Sequence, residues 1–122
     1  MIGKLELVTM MVSDMERSVA FYRDVLGLDV EYESPAWSQL AAGNISIGLH
    51  ASPERTTPNT EGSISLGFYV DDAEQAVEEL RSRGAEIAQE ATPEEFGGSL
   101  AIVRDPDGYP IQLLAGWPST RG

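Results

Sequence analysis

The chain has 122 residues, 42% of them apolar, and carries 20 acidic against 8 basic residues for a net charge of −12. That size and apolar content suit one folded domain with a real core, while the charge would repel a phosphate backbone and argues against a nucleic-acid partner. With no cysteine, disulfides, Cys-ligated zinc and thiol catalysis are excluded.

No apolar run approaches the roughly 18–20 residues that span a bilayer, so no membrane partner is expected. The first residues lack a basic segment followed by an apolar stretch and a cleavage site, and the cytoplasm is the expected compartment. The acidic surface serves solubility and would also attract a cationic small molecule.

In chain order, the first β-rich run is Lys4–Val12, closed by Ser13-Asp14-Met15-Glu16. Ser13 with Glu16 has the spacing of a capping box, so a helix is predicted to begin there. Met15, Val19, Tyr22 and Leu26 recur at intervals of 4, 3 and 4, which makes one apolar helix face. Strands follow at Leu28–Glu33, Trp37–Ala41 and Ile45–His50, separated by Ser-Pro and Gly-Asn turns. Residues 51–62 are polar and proline-bearing, as a linker would be.

A second β-rich run, Ser63–Val70, leads into Asp71, and Glu74 stands at the same capping spacing. Ala73, Val77 and Leu80 mark the second helix face, and Gly84 ends that helix. Strands are predicted at Ala85–Ala88, Ser99–Arg104 and Pro110–Ala115, with Asp105-Pro106-Asp107-Gly108 turning the chain between the last two. Trp117, in the tail, is expected to cap the sheet or an interface.

The chain is a duplication. A shift of 58 residues places Val12 on Val70, Asp14 on Asp72, Glu16 on Glu74, Val19 on Val77 and Arg23 on Arg81. Each half reads βαβββ. The predicted domain 1–122 is a first module over 1–52, a linker over 53–62, a second module over 63–116 and a tail over 117–122. The predicted fold class is α+β: tandem βαβββ modules forming a curved, partly open β-barrel around a central cavity. One module buries its helix against one sheet face and leaves the other open, so two modules can enclose a pocket.

The stretches "VSDMERSVAFYRDVLGLDV" (12–30), "VDDAEQAVEELRSRG" (70–84) and "VRDPDGYPIQLL" (103–114) resemble the vicinal oxygen chelate superfamily. That superfamily includes glyoxalase I, extradiol dioxygenases, fosfomycin-resistance enzymes and bleomycin-resistance proteins. In its enzymes four cavity-facing strand positions supply His, Gln or Glu to a divalent metal. The resemblance carries those positions onto Leu7, Gly48, Ser65 and Gln112. Of these only Gln112 has a useful donor oxygen, and such ions need several carboxylate or imidazole ligands together. No metal ligand and no cofactor are therefore expected. His50, the only histidine, lies two residues beyond Gly48 on the same strand face. It reads as an exposed neutral residue, as a ligand contact, or as a metal ligand beside Gln112.

Strand parity sorts the walls. Leu7, Thr9 and Met11 share the cavity face, and Val8, Met10 and Val12 lie under the helix. Ser65, Gly67 and Tyr69 face inward in the second half, and Ile64, Leu66 and Phe68 pack the other way. Gly48 and His50 come from one closing strand, Gln112 and Leu114 from the other. Trp37 begins a strand able to cover the pocket, offering stacking and an N–H donor, with Tyr32 and Phe96 near the rim. The expected ligand-binding set is Leu7, Thr9, Met11, Trp37, Gly48, His50, Ser65, Tyr69 and Gln112. No catalytic residue is assigned, because no acid–base pair or nucleophile is forced together.

These features predict a metal-free small-molecule-binding protein, similar to the bleomycin-resistance branch, that sequesters an aromatic or cationic ligand such as an antibiotic. A homodimer is expected, since the resemblance implies cavities completed between two chains. Two alternatives stay open. One is an enzyme of the same superfamily (a glyoxalase-like lyase, dioxygenase or isomerase). The other is a protein whose pocket has collapsed and which acts through protein contacts.

Overall fold

A computed structural model of the chain describes residues 2–52, 65–95 and 97–117. The predicted linker 53–62, the strand start at Ser63 and Ile64, Phe96 and the tail beyond Trp117 lie outside the described residues. The chain divides into two units, Met1–Pro58 and Asn59–Gly122.

In the first unit β1 (Leu7–Val12) leads into α1 (Met15–Ala20), which continues as a π-helical turn over Phe21–Val25. Then come β2 (Asp29–Tyr32), β3 (Trp37–Ala42) and β4 (Ile45–Ala51), in the sheet order β1-β4-β3-β2. The second unit repeats this with β5 (Leu66–Tyr69), α2 (Ala73–Ser82), β6 (Glu86–Pro93), β7 (Ser99–Arg104) and β8 (Pro110–Ala115), ordered β5-β8-β7-β6. In each unit the first strand pairs parallel with the last, and the remaining pairs are antiparallel. The fold is α+β, written twice as βαβββ, as the internal repeat predicts.

The strand-to-helix corner is the most faithfully repeated piece. Asp14 and Asp72 take near-identical extended conformations (φ −140°, ψ 102° and φ −143°, ψ 112°). Each carboxylate accepts from the backbone N–H three residues on, Arg17 at 3.2 Å and Gln75 at 3.1 Å. The caps are therefore the aspartates, one residue beyond the predicted Ser13 and Asp71. The capping-box spacing suggested the earlier start, but the aspartate side chains accept from the N–H groups of Arg17 and Gln75. Gly84 closes α2 at φ +89°, a conformation that strains any other L residue. The N–H groups of Gly84 and Ala85 return to the carbonyls of Arg81 and Leu80 at 3.0 Å, which satisfies the helix end.

Packing follows the predicted parity. Met10 and Val12 of β1, Leu40 of β3, and Ile47 and Leu49 of β4 are buried with Val19, Phe21 and Tyr22 of the helix. The π turn, closed by Leu26 N–H to the Phe21 carbonyl at 3.0 Å, lets the consecutive Phe21 and Tyr22 both reach the core. Their rings meet edge to face at 5.2 Å. In the second unit Ala73, Val77 and Leu80 of α2 are buried, as are Ala101, Val103, Ile111 and Leu113 of the sheet.

Several strand ends differ from expectation, most of them by one residue and those of β1 and β6 by more. β1 begins at Leu7 rather than Lys4, where its pairing with Ser46 of β4 begins. β6 runs on to Pro93 rather than stopping at Ala88, because β7 pairs with it across two register shifts despite its polar sequence. Among the described residues no helix is long and apolar enough to cross a membrane.

The cap assignment is testable by denaturant unfolding. Asp72→Ala should lower stability by about 1 kcal/mol through loss of the bond to Gln75 N–H, while Asp71→Ala should cost less than about half of that.

Candidate functional site

The helix covers one face of the first sheet, and the other face carries most of the predicted ligand set. Register places Met11 beside His50 and Trp37 in one row across β1, β4 and β3. Thr9, Gly48 and Gln39 form the next row, and Leu7, Ser46 and Ala41 the third. Leu7, Thr9, Met11, Trp37, Gly48 and His50 are thus brought together. Leu7 and Met11 are exposed, Trp37 is half-buried, and Gly48 is buried although it has no side chain.

Trp37 explains that burial. Its indole leans diagonally from β3 across β4. A Cβ built at Gly48 would fall on the benzo edge, at Cη2 and Cζ2, and within 3.3 Å of Leu7 Cδ1. Glycine is required at position 48 by this close approach. The indole is also held by its Nε1–H, which donates to Gln39 Oε1 at 3.3 Å. That bond takes up the N–H that the sequence reading offers as a donor to a ligand. Gln39 in turn donates from Nε2 to Glu31 Oε1 at 3.1 Å, and Ser46 Oγ–H donates to the same oxygen at 2.7 Å. Ser34 braces the start of the strand, accepting from Trp37 N–H at 3.1 Å and donating to the Trp37 carbonyl at 2.8 Å.

Glu31, Gln39 and Ser46 were absent from the predicted set. Parity alone reaches Gln39 from Trp37 and Ser46 from Gly48, each two residues away. Glu31 depends on a register shift between Val30 and Tyr32 that sets two residues of β2 against Gln39. His50 is exposed, with Nδ1 3.4 Å from Met11 Sδ and its ring 6.3 Å from that of Trp37.

Ser65, Tyr69 and Gln112 belong to the second unit. Ser65 is exposed and precedes β5 instead of lying on it, a correction to its predicted strand position. Gly67 opposes Gln112, whose Oε1 lies 3.4 Å from where a Gly67 Cβ would be, with Leu114 Cδ1 at 2.9 Å. Tyr69 is exposed and borders an open groove with Asp71, Asp72 and Gln75 at the start of α2. Asp105 and Asp107 are buried in the last turn, where Asp105 Oδ1 accepts from the N–H groups of Asp107 and Tyr109 at 2.9 and 2.8 Å. Trp117 donates to the Ser99 carbonyl at 2.8 Å, capping the sheet end.

The four positions that hold a metal in the enzymes do not fit one here. Leu7 is a hydrocarbon, Gly48 has no side chain and its Cβ space is filled by indole, Ser65 is a neutral hydroxyl, and Gln112 is a lone amide. Among the described residues no group of three or more His, Cys, Asp or Glu side chains is arranged to hold a metal ion.

A model of the Glyoxalase/Bleomycin resistance protein/Dioxygenase superfamily matches residues 4–113. A lactoylglutathione lyase of Salmonella typhimurium is 33% identical, with 91% of each chain covered. One from Haemophilus influenzae is 32% identical, over 84% of this chain and 85% of its own. Among solved structures, a glyoxalase/bleomycin resistance protein/dioxygenase from Nocardioides has a TM-score of 0.80 at 18% identity, covering 100% of this chain and 91% of its own.

The Trp37–Gly48 contact predicts a non-additive pair. Gly48→Ala should cost about 1–3 kcal/mol of unfolding free energy by forcing the indole off the sheet. In a Trp37→Ala background the same change should cost less than about 0.5 kcal/mol, measured by a denaturant double-mutant cycle.

Proposed function

The chain belongs to the Glyoxalase/Bleomycin resistance protein/Dioxygenase superfamily, and from that premise we propose that it binds a flat aromatic small molecule without a metal, using the Trp37 indole as its platform. The observation carrying this reading is the indole seated over Gly48, at a position from which the superfamily's enzymes supply a metal ligand. The benzo edge of the indole sits against Gly48, and the half-buried ring offers the rest of its surface for stacking. Apolar Leu7 and Met11 extend the floor, and the neutral hydroxyl of Thr9 adds polarity. Sequestration of an antibiotic is one use of such a site.

A second reading is favoured by the relatives, several of which are named lactoylglutathione lyase along nearly their whole length. Their names point to an enzyme, and an expectation of no catalysis draws no support from them. If this chain is a lyase, it works with a different set of groups from Leu7, Gly48, Ser65 and Gln112, or recruits His50.

Fluorescence in a Trp117→Phe background separates these readings. A flat aromatic ligand should quench Trp37, and Trp37→Ala should weaken its binding, read by isothermal titration calorimetry, by about 1–3 kcal/mol, as for loss of an aromatic anchor. A Trp37→Ala variant that melts lower but binds as tightly would place the indole in the core and overturn the proposal. Lactoylglutathione lyase turnover that rises on adding zinc or nickel would establish the second reading in its place.

A further inference from the structure

Among the described residues Glu31 is the one carboxylate hydrogen-bonded to the partners of Trp37, and its bonding is lopsided. Both of its described hydrogen bonds, from Gln39 and Ser46, end on Oε1. Oε2 accepts none from a described residue. The two donors are neutral, so they orient the carboxylate without cancelling its charge. The ion pairs among the described residues lie elsewhere. Arg23 is taken by Asp24 at 2.8 Å, Arg81 by Glu78 and Glu90, Arg83 by Glu79 at 2.6 Å and Arg104 by Glu86 at 3.7 Å. The carboxylate stands one amide away from the indole Nε1, linked through Gln39.

Resting on the aromatic platform proposed above, we infer that Glu31 and Trp37 form a subsite for a flat cation, such as an amidinium or a protonated amino-heteroaromatic group. A ring carrying delocalised positive charge stacks on the indole, whose face is the negative pole of its quadrupole. An N–H of the cation at the ring edge then reaches Oε2, the free acceptor of an already oriented carboxylate. The surplus of 20 acidic over 8 basic residues adds a long-range attraction of the same sign. Gln39 acts as a positioning residue, since its amide fixes the indole with one end and the carboxylate with the other.

Benzamidinium and the near-isosteric neutral benzamide are the probes, with affinity read by NMR titration of the backbone amide resonances of β3 and β4 and, where the indole is present, of the Trp37 indole N–H. The wild-type protein should bind benzamidinium about fivefold more tightly than benzamide, the scale of an exposed charge contact combined with a cation–π contact. Raising the salt should narrow that preference, because the charges are exposed. Glu31→Gln, which keeps an oxygen for Gln39 and Ser46, should reduce the preference to about twofold, the part left to the cation–π contact. Ser46→Ala, which removes a donor but no charge, should retain it. Trp37→Ala should weaken both probes. A preference undiminished by Glu31→Gln, or missing from the wild type, overturns the subsite and leaves the aromatic platform standing. If neither probe moves the Trp37 resonance, the platform itself is overturned, and the subsite with it.

Discussion

A single helix cannot cover both faces of a four-stranded sheet, and among the described residues each unit has only one. The sequence answers by making the faces chemically unlike. Under the first helix, Met10, Val12, Leu40, Ile47 and Leu49 form a closed core with Val19, Phe21 and Tyr22. On the opposite face the same strands present Leu7, Thr9, Met11, Gln39, Ser46 and His50, a mixture no helix stripe would match. Strand alternation enforces this division, because a register slip of one residue would exchange the two sets. The asymmetry makes the uncovered face available for function.

On that face the decisive contact is indole on glycine. In a scaffold whose enzymes place metal ligands on their closing strands, this chain has no side chain at position 48 and lays Trp37 over the gap. The two features depend on each other. A larger residue at 48 would displace the ring, and without the ring a glycine in the middle of β4 would leave backbone uncovered. Family membership rests on what builds the scaffold: the aspartate caps, the helix faces and the Asp-Pro-Asp-Gly turn. The chemistry of the face diverges at the few positions the scaffold does not constrain.

Those constraints also decide what was legible in the sequence. Repeated spacing gave both helices and every strand, since period-two alternation and the helical stripe are local consequences of burial. The cap was misplaced by one residue because Ser13 and Asp14 are both good caps, and only backbone geometry selects between them. Trp37 and Gly48 could each be assigned to the face, but not their contact. That depends on a rotamer carrying the ring diagonally across β4, which parity does not encode. Glu31 was overlooked for a related reason: its place follows from the offset pairing of β2 on β3. The later half of β6 was lost because its strand character comes from β7 rather than from apolar residues of its own.

Charge distribution joins these threads. A net charge of −12 is by itself consistent with solubility alone. Its local balance is more informative. Along α2 and β6, arginines sit within reach of the acids, and Arg81 joins Glu78 on its own helix to Glu90 on the strand. The guanidinium of Arg81 is accordingly held above its ordinary pKa, first by its bond to Glu90. Around Glu31 the same composition gives a different result: an amide and a hydroxyl hold the carboxylate in place, and no ion pair among the described residues engages it. Neutral donors preserve the charge while fixing its direction, whereas an arginine there would have cancelled it. An oriented carboxylate at the edge of a half-buried aromatic plate is poorly explained by solubility, which needs no orientation. It is the arrangement that the subsite proposed above requires.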